Sequence, residues 1–338
     1  MENINLVKEI IDAAFSDKDI YLIKNFIASN KENETLFFLK PEFFHIKKID
    51  SIKDLLLFIL NEIKDFNITI SGIVKLSGNF LKVSKIIERH YGFINKFSMH
   101  GSKLVNELQK EKIKEVLSIK DLYNHKILGG HEVIERYNNV DEKMLTDMWY
   151  SKKSIRISEG FYIQPHYIND ENVILINGFH PSQIRHYTSP DAKIVLSLLQ
   201  TNTDWYKLRN DFVGDTFPEN AITGSIRATL YKNALKFGIE NINVANNFVH
   251  ASSGPFDALF EICNFVGSIE GINYCYKNTN IYNLMINKYG LDESDFYTCL
   301  DNPKVLVDKT ETDLFSLTKN KNTFDAISDY IKYFKKFR

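Results

Sequence analysis

Lys40 and His250 have the settings in this sequence that most suggest chemistry. Thr35-Leu36-Phe37-Phe38-Leu39 is a continuous apolar run that delivers Lys40 and stops at Pro41, as a buried strand would. Asn246-Asn247-Phe248-Val249-His250-Ala251-Ser252 carries an imidazole near the end of a second predicted strand, two residues before a serine and eleven before Glu261 on the next predicted helix. Helix geometry can bring Glu261 back toward the start of its helix, within reach of the His250 ring. A carboxylate on one ring nitrogen would orient the imidazole and leave the other nitrogen as a nucleophile. Alone, a histidine at a strand end is an ordinary structural feature. Here it has company in a fixed order: Lys40-Pro41-Glu42, His90-Tyr91, Gly214-Asp215-Thr216-Phe217-Pro218, Gly224-Ser225-Ile226-Arg227, the Asn247 to Ser252 segment and Glu261-Ile262.

This ordered set resembles the nucleoside diphosphate kinase family. That family carries a KPD lysine, an HY pair, a GxTNP loop, a GTIR arginine, an N-x-x-H-G-S histidine segment and an EI helix. The likeness covers roughly residues 34–110 and 193–266, under half of the chain. It implies that His250 is transiently phosphorylated and that Ser252 and Glu261 bond to it and orient it. Lys40, Thr216 and Arg227 would contact the phosphates, with Tyr91 close by. Asn247 would meet the sugar and phosphate end of the nucleotide, and Val244 would lie near the base. Mg²⁺ would bridge the phosphates, so no protein metal ligands are expected. Phosphoryl transfer asks a protein mainly for positioning and for neutralisation of charge. A histidine nucleophile divides transfer between two nucleotides into two half-reactions at one site.

The departures from the family pattern are specific. The family's second phosphate-contacting arginine, four residues before the loop glycine, corresponds to Asn210, with Arg209 one residue off. Ala251 replaces the glycine after the histidine, Ser253 the aspartate after the serine, and Phe43 the glycine after the KPD motif. About ten extra residues precede Asn247, and Lys232, Lys236 and Phe237 are expected to add bulk and charge near the site. The expected function is NTP-dependent phosphoryl transfer from ATP or another nucleotide to a nucleoside diphosphate or a specialised acceptor. The alternatives are a catalytically inactive nucleotide-binding module with a regulatory or scaffold role, and direct transfer without a phosphohistidine.

The elements that must position these residues read as α/β. Residues 1–30 look helical in two stretches, the second holding Ile20, Leu22, Ile23 and Phe26. After the Thr35–Leu39 strand come a helix from Ser51, its expected N-cap, to Lys64, a β-rich stretch from Ile68 to Leu76 with Gly72 as a bulge, and a helix from Phe80 to His90. Residues 111–192 break the rhythm and read as an insertion. It holds a polar helical stretch near Glu132–Trp149, strands at Gly160–Gln164 and Val173–Phe179, and a polar cluster of His180, Arg185 and His186 assigned to a possible acceptor. Ile194–Leu199 is again a buried strand, Trp205–Phe212 a helix, Val244–His250 a strand, and Pro255–Val266 a helix opened by Ser252 or Ser253. The expected division is an N-terminal helical extension over 1–33, a kinase-like domain over 34–110 and 193–266, the 111–192 insertion, and a mainly helical extension over 267–338. The family likeness implies a ferredoxin-like antiparallel sheet with flanking helices, an α+β sandwich. It also implies a possible homo-oligomer.

Composition bounds the rest. With 42 Lys+Arg against 43 Asp+Glu in 338 residues, a general nucleic-acid binder is not expected. The longest purely apolar run, Leu55–Leu60, is six residues, too short for a membrane span. No secretory signal is read at the N-terminus. Cys263, Cys275 and Cys299 form no CxxC pair, which suits neutral thiols in a reducing cytoplasm. In the tail, Phe324, Ile327, Ile331, Phe334 and Phe337 keep helical spacing among Lys332, Lys335, Lys336 and Arg338, and are expected to cover the protein's own core or a partner more than a membrane surface.

Overall fold

In the computed structural model, which describes residues 2–158, 160–308 and 310–335, a helix (Glu2–Ala14) leads into strands β1 (Ile20–Lys24), β2 (Asn33–Leu39) and β3 (Thr69–Ser77). The chain then builds a separate unit containing β4 (His125–Gly129), β5 (Ile155–Ser158), β6 (Phe161–Ile168) and β7 (Glu171–Ile176). It returns as β8 (Lys193–Thr201) and β9 (Val249–Ala251), and ends in helices and a hairpin of β10 (Lys304–Val307) with β11 (Thr310–Asp313). One unit is Met1–Ser84 with Pro190–Arg338, the other Lys85–Ser189.

The sheet of the first unit has the order β1-β3-β8-β2-β9, antiparallel throughout. Set β1 aside, and the remaining four strands run second, third, first, fourth, which is the ferredoxin-like order. The fold is therefore α/β with an antiparallel ferredoxin-like sheet. All seven residues of β2 are buried, as expected of a central strand whose two faces are both covered. Successive side chains alternate in face. Phe37 and Leu39 pack with Leu55, Leu56, Ile59 and Leu60 of the Ile49–Asp65 helix, and Leu208, Phe212, Ile226 and Leu230 share that core. Phe38 faces the other way, against Phe265 of the Pro255–Phe265 helix (5.6 Å between ring centroids). The far side of that helix, Phe256 and Leu259, is covered by Met285, Phe296, Leu314, Ile327 and Tyr330 of the C-terminal extension.

In the second unit the sheet order is β4-β7-β6-β5, with β4 parallel to β7 and the remaining pairs antiparallel. Asn169 and Asp170, both at positive φ (46° and 62°), close the β6–β7 hairpin. Gly129 lies so close to the Gly92–Leu104 helix of this unit that an added Cβ would stand 2.1 Å from the Ser98 carbonyl oxygen.

Several local expectations are corrected. Residues 20–24 are not helical: they form β1, which pairs with the otherwise open edge of β3. A short apolar run fits either period, and an available sheet edge decides the outcome. The helix expected from Ser51 begins at Ile49, and Ser51 is buried without capping it. The polar stretch near Glu132–Trp149 is two helices, Gly130–Arg136 and Glu142–Tyr150. His180–Thr188 is a helix, started by Pro181 in its first turn. Gly72 does mark a break of register between β3 and β8, and its missing side chain admits the Phe26 ring, which a Cβ would meet at 2.4 Å. The tail helix, Thr323–Tyr333, buries Ala326, Ile327 and Tyr330 in its own unit, and Phe334 stacks on Tyr330 (5.8 Å). Lys336, Phe337 and Arg338 of the expected tail stripe lie outside the described residues. Among the described residues no helix is long and apolar enough to cross a membrane.

The C-terminal extension is also tied to the sheet through a buried carboxylate. Glu34 on β2 accepts from Gln200 Nε2 (2.5 Å), the Tyr274 hydroxyl (3.2 Å) and the Asn280 N–H (2.5 Å). Burial pushes its carboxyl up to about 7, against these hydrogen bonds, which favour the charged form. A raised folded-state value means that the folded chain holds the proton more tightly than the unfolded one. Its stabilising contribution is therefore complete below about pH 4 and is lost as pH rises through 7. Urea unfolding is expected to show the difference between the native chain and Glu34→Gln shifting in favour of the glutamine variant by roughly 3 kcal/mol between about pH 4 and pH 8. A difference that stays constant with pH would contradict this account.

Candidate active site

Burying a carboxylate requires that both of its oxygens be satisfied, and Glu261, 1 % exposed, shows how this chain does it. The Ser252 hydroxyl donates to Oε2 (2.6 Å) and itself accepts from the Leu36 N–H (3.0 Å). Oε1 lies 2.7 Å from His250 Nε2. With both carboxylate oxygens accepting, the proton of the neutral ring sits on Nε2 and its lone pair on Nδ1. The ring is held flat by Phe38, directly opposite in the β2–β9 register and stacked on it at 4.4 Å and 18°. Burial holds His250 below the usual imidazole range. Asp257 opposes this, while Arg209, Arg227 and Lys40 reinforce it.

Those three cations brace the backbone that carries His250. Among the described residues, β9 pairs with β2 on one edge only. On its other edge, the Val249 carbonyl accepts from Arg227 Nη2 (2.8 Å) and the Ala251 carbonyl from Arg209 Nη1 (2.7 Å). Arg227 also bonds to the Gly214 carbonyl (2.9 Å). Lys40 Nζ donates to the Ala245 carbonyl (2.7 Å) and Asn247 Oδ1 (3.1 Å), and pairs with Glu42 (3.2 Å). Burial lowers the Lys40 pKa, with Glu42 working against the shift and Arg227 adding to it.

The strand expected over Val244–His250 is only Val249–Ala251. Asn243 Oδ1 accepts from the N–H groups of Ala245 (2.8 Å) and Asn246 (3.0 Å), turning the chain before it can extend. Phe248 then adopts φ 69°, and the Val249 N–H reaches back to the Asn247 carbonyl (2.8 Å), forming a γ-turn. Such a conformation at a bulky residue costs about 1–3 kcal/mol. It is held by the Phe248 N–H to Glu42 Oε1 (3.0 Å) and the Lys40 N–H to the Phe248 carbonyl (2.9 Å).

The register of Arg209 has a structural origin. Leu208–Val213 is a π-helix, and the Gly214 N–H bonds to the Arg209 carbonyl (3.1 Å), five residues back. The extra residue that sets Arg209 off the expected spacing is absorbed in that wider turn. Asn210 bonds back to the Tyr206 carbonyl (2.8 Å). Phe43 is fully buried in the core, as is most of Phe237. Ser253 donates its N–H to Asp257 (2.7 Å). Asn247 Nδ2 bonds to the carbonyls of Thr216 (3.1 Å) and Val244 (3.2 Å), joining the Gly214–Pro218 loop to the His250 segment.

The first unit thus brings together His250, Lys40, Glu261, Ser252, Arg227, Arg209, Asn247, Thr216 and Val244. Tyr91, His180, Arg185 and His186 belong to the second unit. There, Tyr91 packs edge-on to His90 (4.6 Å) and His180 (6.0 Å). His180 is wholly buried between Gln183 (2.9 Å) and Asn95 (3.1 Å), and burial lowers its pKa to about 4. Arg185 pairs with Glu142 (3.1 Å), and His186 is half-buried against Tyr187. Sequence reasoning missed Phe38 and Glu42 as parts of the site. The alternation of faces along β2 puts Phe38 and Lys40 on one side and was the available signal. Asp257 sits one turn before Glu261 on the same helix face, and that spacing was equally readable.

No protein-family model and no curated protein matches this chain. Similar solved structures include a nucleoside diphosphate kinase from Encephalitozoon cuniculi, at 11% identity and a TM-score of 0.34, covering 72% of this chain and 92% of that one. An NDP kinase from Pyrobaculum aerophilum is similar at 18% identity and a TM-score of 0.35, covering 69% of this chain and 94% of that one. The ferredoxin-like assignment stands on the strand order.

Histidine ¹⁵N NMR is expected to find His250 neutral between about pH 5 and pH 8, with its proton on Nε2. A His250 ring titrating near its ordinary 6.5 would sink this description of the site.

Proposed function

We propose that the chain is an NTP-dependent phosphotransferase that passes a γ-phosphoryl group through a phosphohistidine at His250 to a nucleoside diphosphate or a more specialised acceptor. The observation that carries this reading is an imidazole fixed by Glu261 and Phe38 and neighboured by Lys40, Arg209 and Arg227. In the first half-reaction, His250 Nδ1 bonds to the γ-phosphorus as the bond to the bridging oxygen breaks, and the nucleoside diphosphate leaves with that electron pair. In the second, an acceptor oxygen bonds to phosphorus as the N–P bond breaks, and the lone pair returns to Nδ1. Glu261 holds the Nε2 proton throughout and stabilises the positive charge that the ring gains on phosphorylation. The three cations oppose the charge on the transferring oxygens.

Mg²⁺ fits this site as an ion carried by the nucleotide phosphates. Glu261 is committed to His250 and Ser252, and Asp257 Oδ2 to the Ser253 N–H, so its ligands would come from the nucleotide and water. When bound, it supplies charge neutralisation between the phosphates. A second reading, an inactive nucleotide-binding module, has one observation in its favour. Each of the three cations is already bonded to a backbone carbonyl.

Incubation with γ-labelled ATP and Mg²⁺ is expected to give an acid-labile, alkali-stable label on the native protein and none on His250→Ala, with nucleotide binding retained by the variant. Equal labelling of both proteins would exclude His250 as the carrier. Binding without any label would favour the inactive module.

A further inference from the structure

We infer that the C-terminal turn Thr318–Thr323 is a positioning element for the His250 site; as a statement about catalysis, this rests on the reading just proposed. The turn lies about seventy residues beyond His250 in sequence, yet it holds three of the segments that bring side chains to the site. The Asn320 N–H, from a residue at φ 61°, donates to the Ser253 carbonyl (3.0 Å), one residue past the serine bonded to Glu261. The Thr318 carbonyl rests against Gly254, where an added Cβ would stand 2.7 Å from its oxygen. Asn322 Oδ1 accepts from the Trp205 N–H (2.8 Å) and Asn33 Nδ2 (3.1 Å), and Asn322 Nδ2 donates to Asp204 (3.2 Å). Trp205 starts the helical segment that carries Arg209. Asn33 starts β2, which carries Phe38 and leads into Lys40, and it also accepts from the Thr323 N–H and hydroxyl (both 3.0 Å).

These bonds fix the distance between the His250 loop, the base of β2 and the Arg209 helix. The turn's bonds go to Ser253, Asn33, Asp204 and Trp205, not to His250 itself. The turn therefore acts through Ser252, Phe38 and Arg209, and displacing it should cost transfer while leaving nucleotide binding close to the native value. A misplacement of about 1 Å at a reacting centre costs on the order of 100-fold in rate.

The test uses the full chain with Gly254→Ala, which wedges the turn away, and Asn322→Ala, which removes its link to Trp205 and Asn33. Gly267→Ala, where an added Cβ meets nothing, is the control. The expected result is a labelling rate reduced on the order of 100-fold in both variants, unchanged nucleotide binding, an unchanged control, and a shifted or doubled His250 ¹⁵N signal. Native labelling rates in both variants would overturn the inference. So would labelling and binding lost together with the folded near-UV circular dichroism, since that would mean loss of stability alone. If the native chain takes no label, the phosphohistidine reading falls, and the His250 ¹⁵N signal then decides the positioning role on its own. A shift in both variants supports it, and an unchanged signal overturns it.

Discussion

The structure around His250 follows from one constraint: a buried carboxylate must have both of its oxygens hydrogen-bonded. Glu261 sits on the inner face of its helix because Phe256 and Leu259, on the outer face, are claimed by the C-terminal core. Ser252 and His250, on the segment just before that helix, supply donors to its two oxygens. Ser252 in turn needs the Leu36 N–H, which locks the segment to β2 at one register. The same register sets Phe38 opposite His250. Orientation of the imidazole is thus a by-product of satisfying a carboxylate in the interior.

β9 has three residues and, among the described residues, a strand neighbour on one side. An edge strand normally leaves its outward carbonyls to water or to another chain. Here two arginines occupy that edge, so guanidinium groups stand where a sixth strand would bond. This arrangement also steadies the positive-φ turn at Phe248, whose N–H and carbonyl are both engaged by the Lys40–Glu42 segment. Removal of either arginine would therefore act on strand geometry as well as on local charge, two effects that a phosphate-binding argument alone would merge.

Much of this was legible in the residues. Continuous apolar runs located β2 and β8, the glycine in β3 announced its bulge, and the spacing from His250 to Ser252 and Glu261 contained the central hydrogen-bonded triad. What stayed hidden was set by tertiary partners. β1 looked helical because four apolar residues suit either period, and only the open side of β3 decides between them. The loss of most of the Val244–His250 strand traces to Asn243, whose side chain outcompetes the ladder for two N–H groups. Arg209 looked misplaced by one residue because a π-turn leaves no simple mark in composition. The anchoring of the C-terminal extension at Glu34 and Asn33 was invisible, since its partners are more than two hundred residues away in sequence.

β1 itself has a wider consequence. It covers the hydrogen-bonding edge of β3, a strand of nine residues whose interior is buried. A shortened form of the chain beginning after residue 30 would lay that edge open as a long row of unpaired N–H and C=O groups, beside a core newly stripped of the first helix. Such an edge is a template for strand addition from another molecule. The N-terminal segment is therefore a solubility element, and fragments designed to isolate the His250 site would have to keep it to avoid self-association.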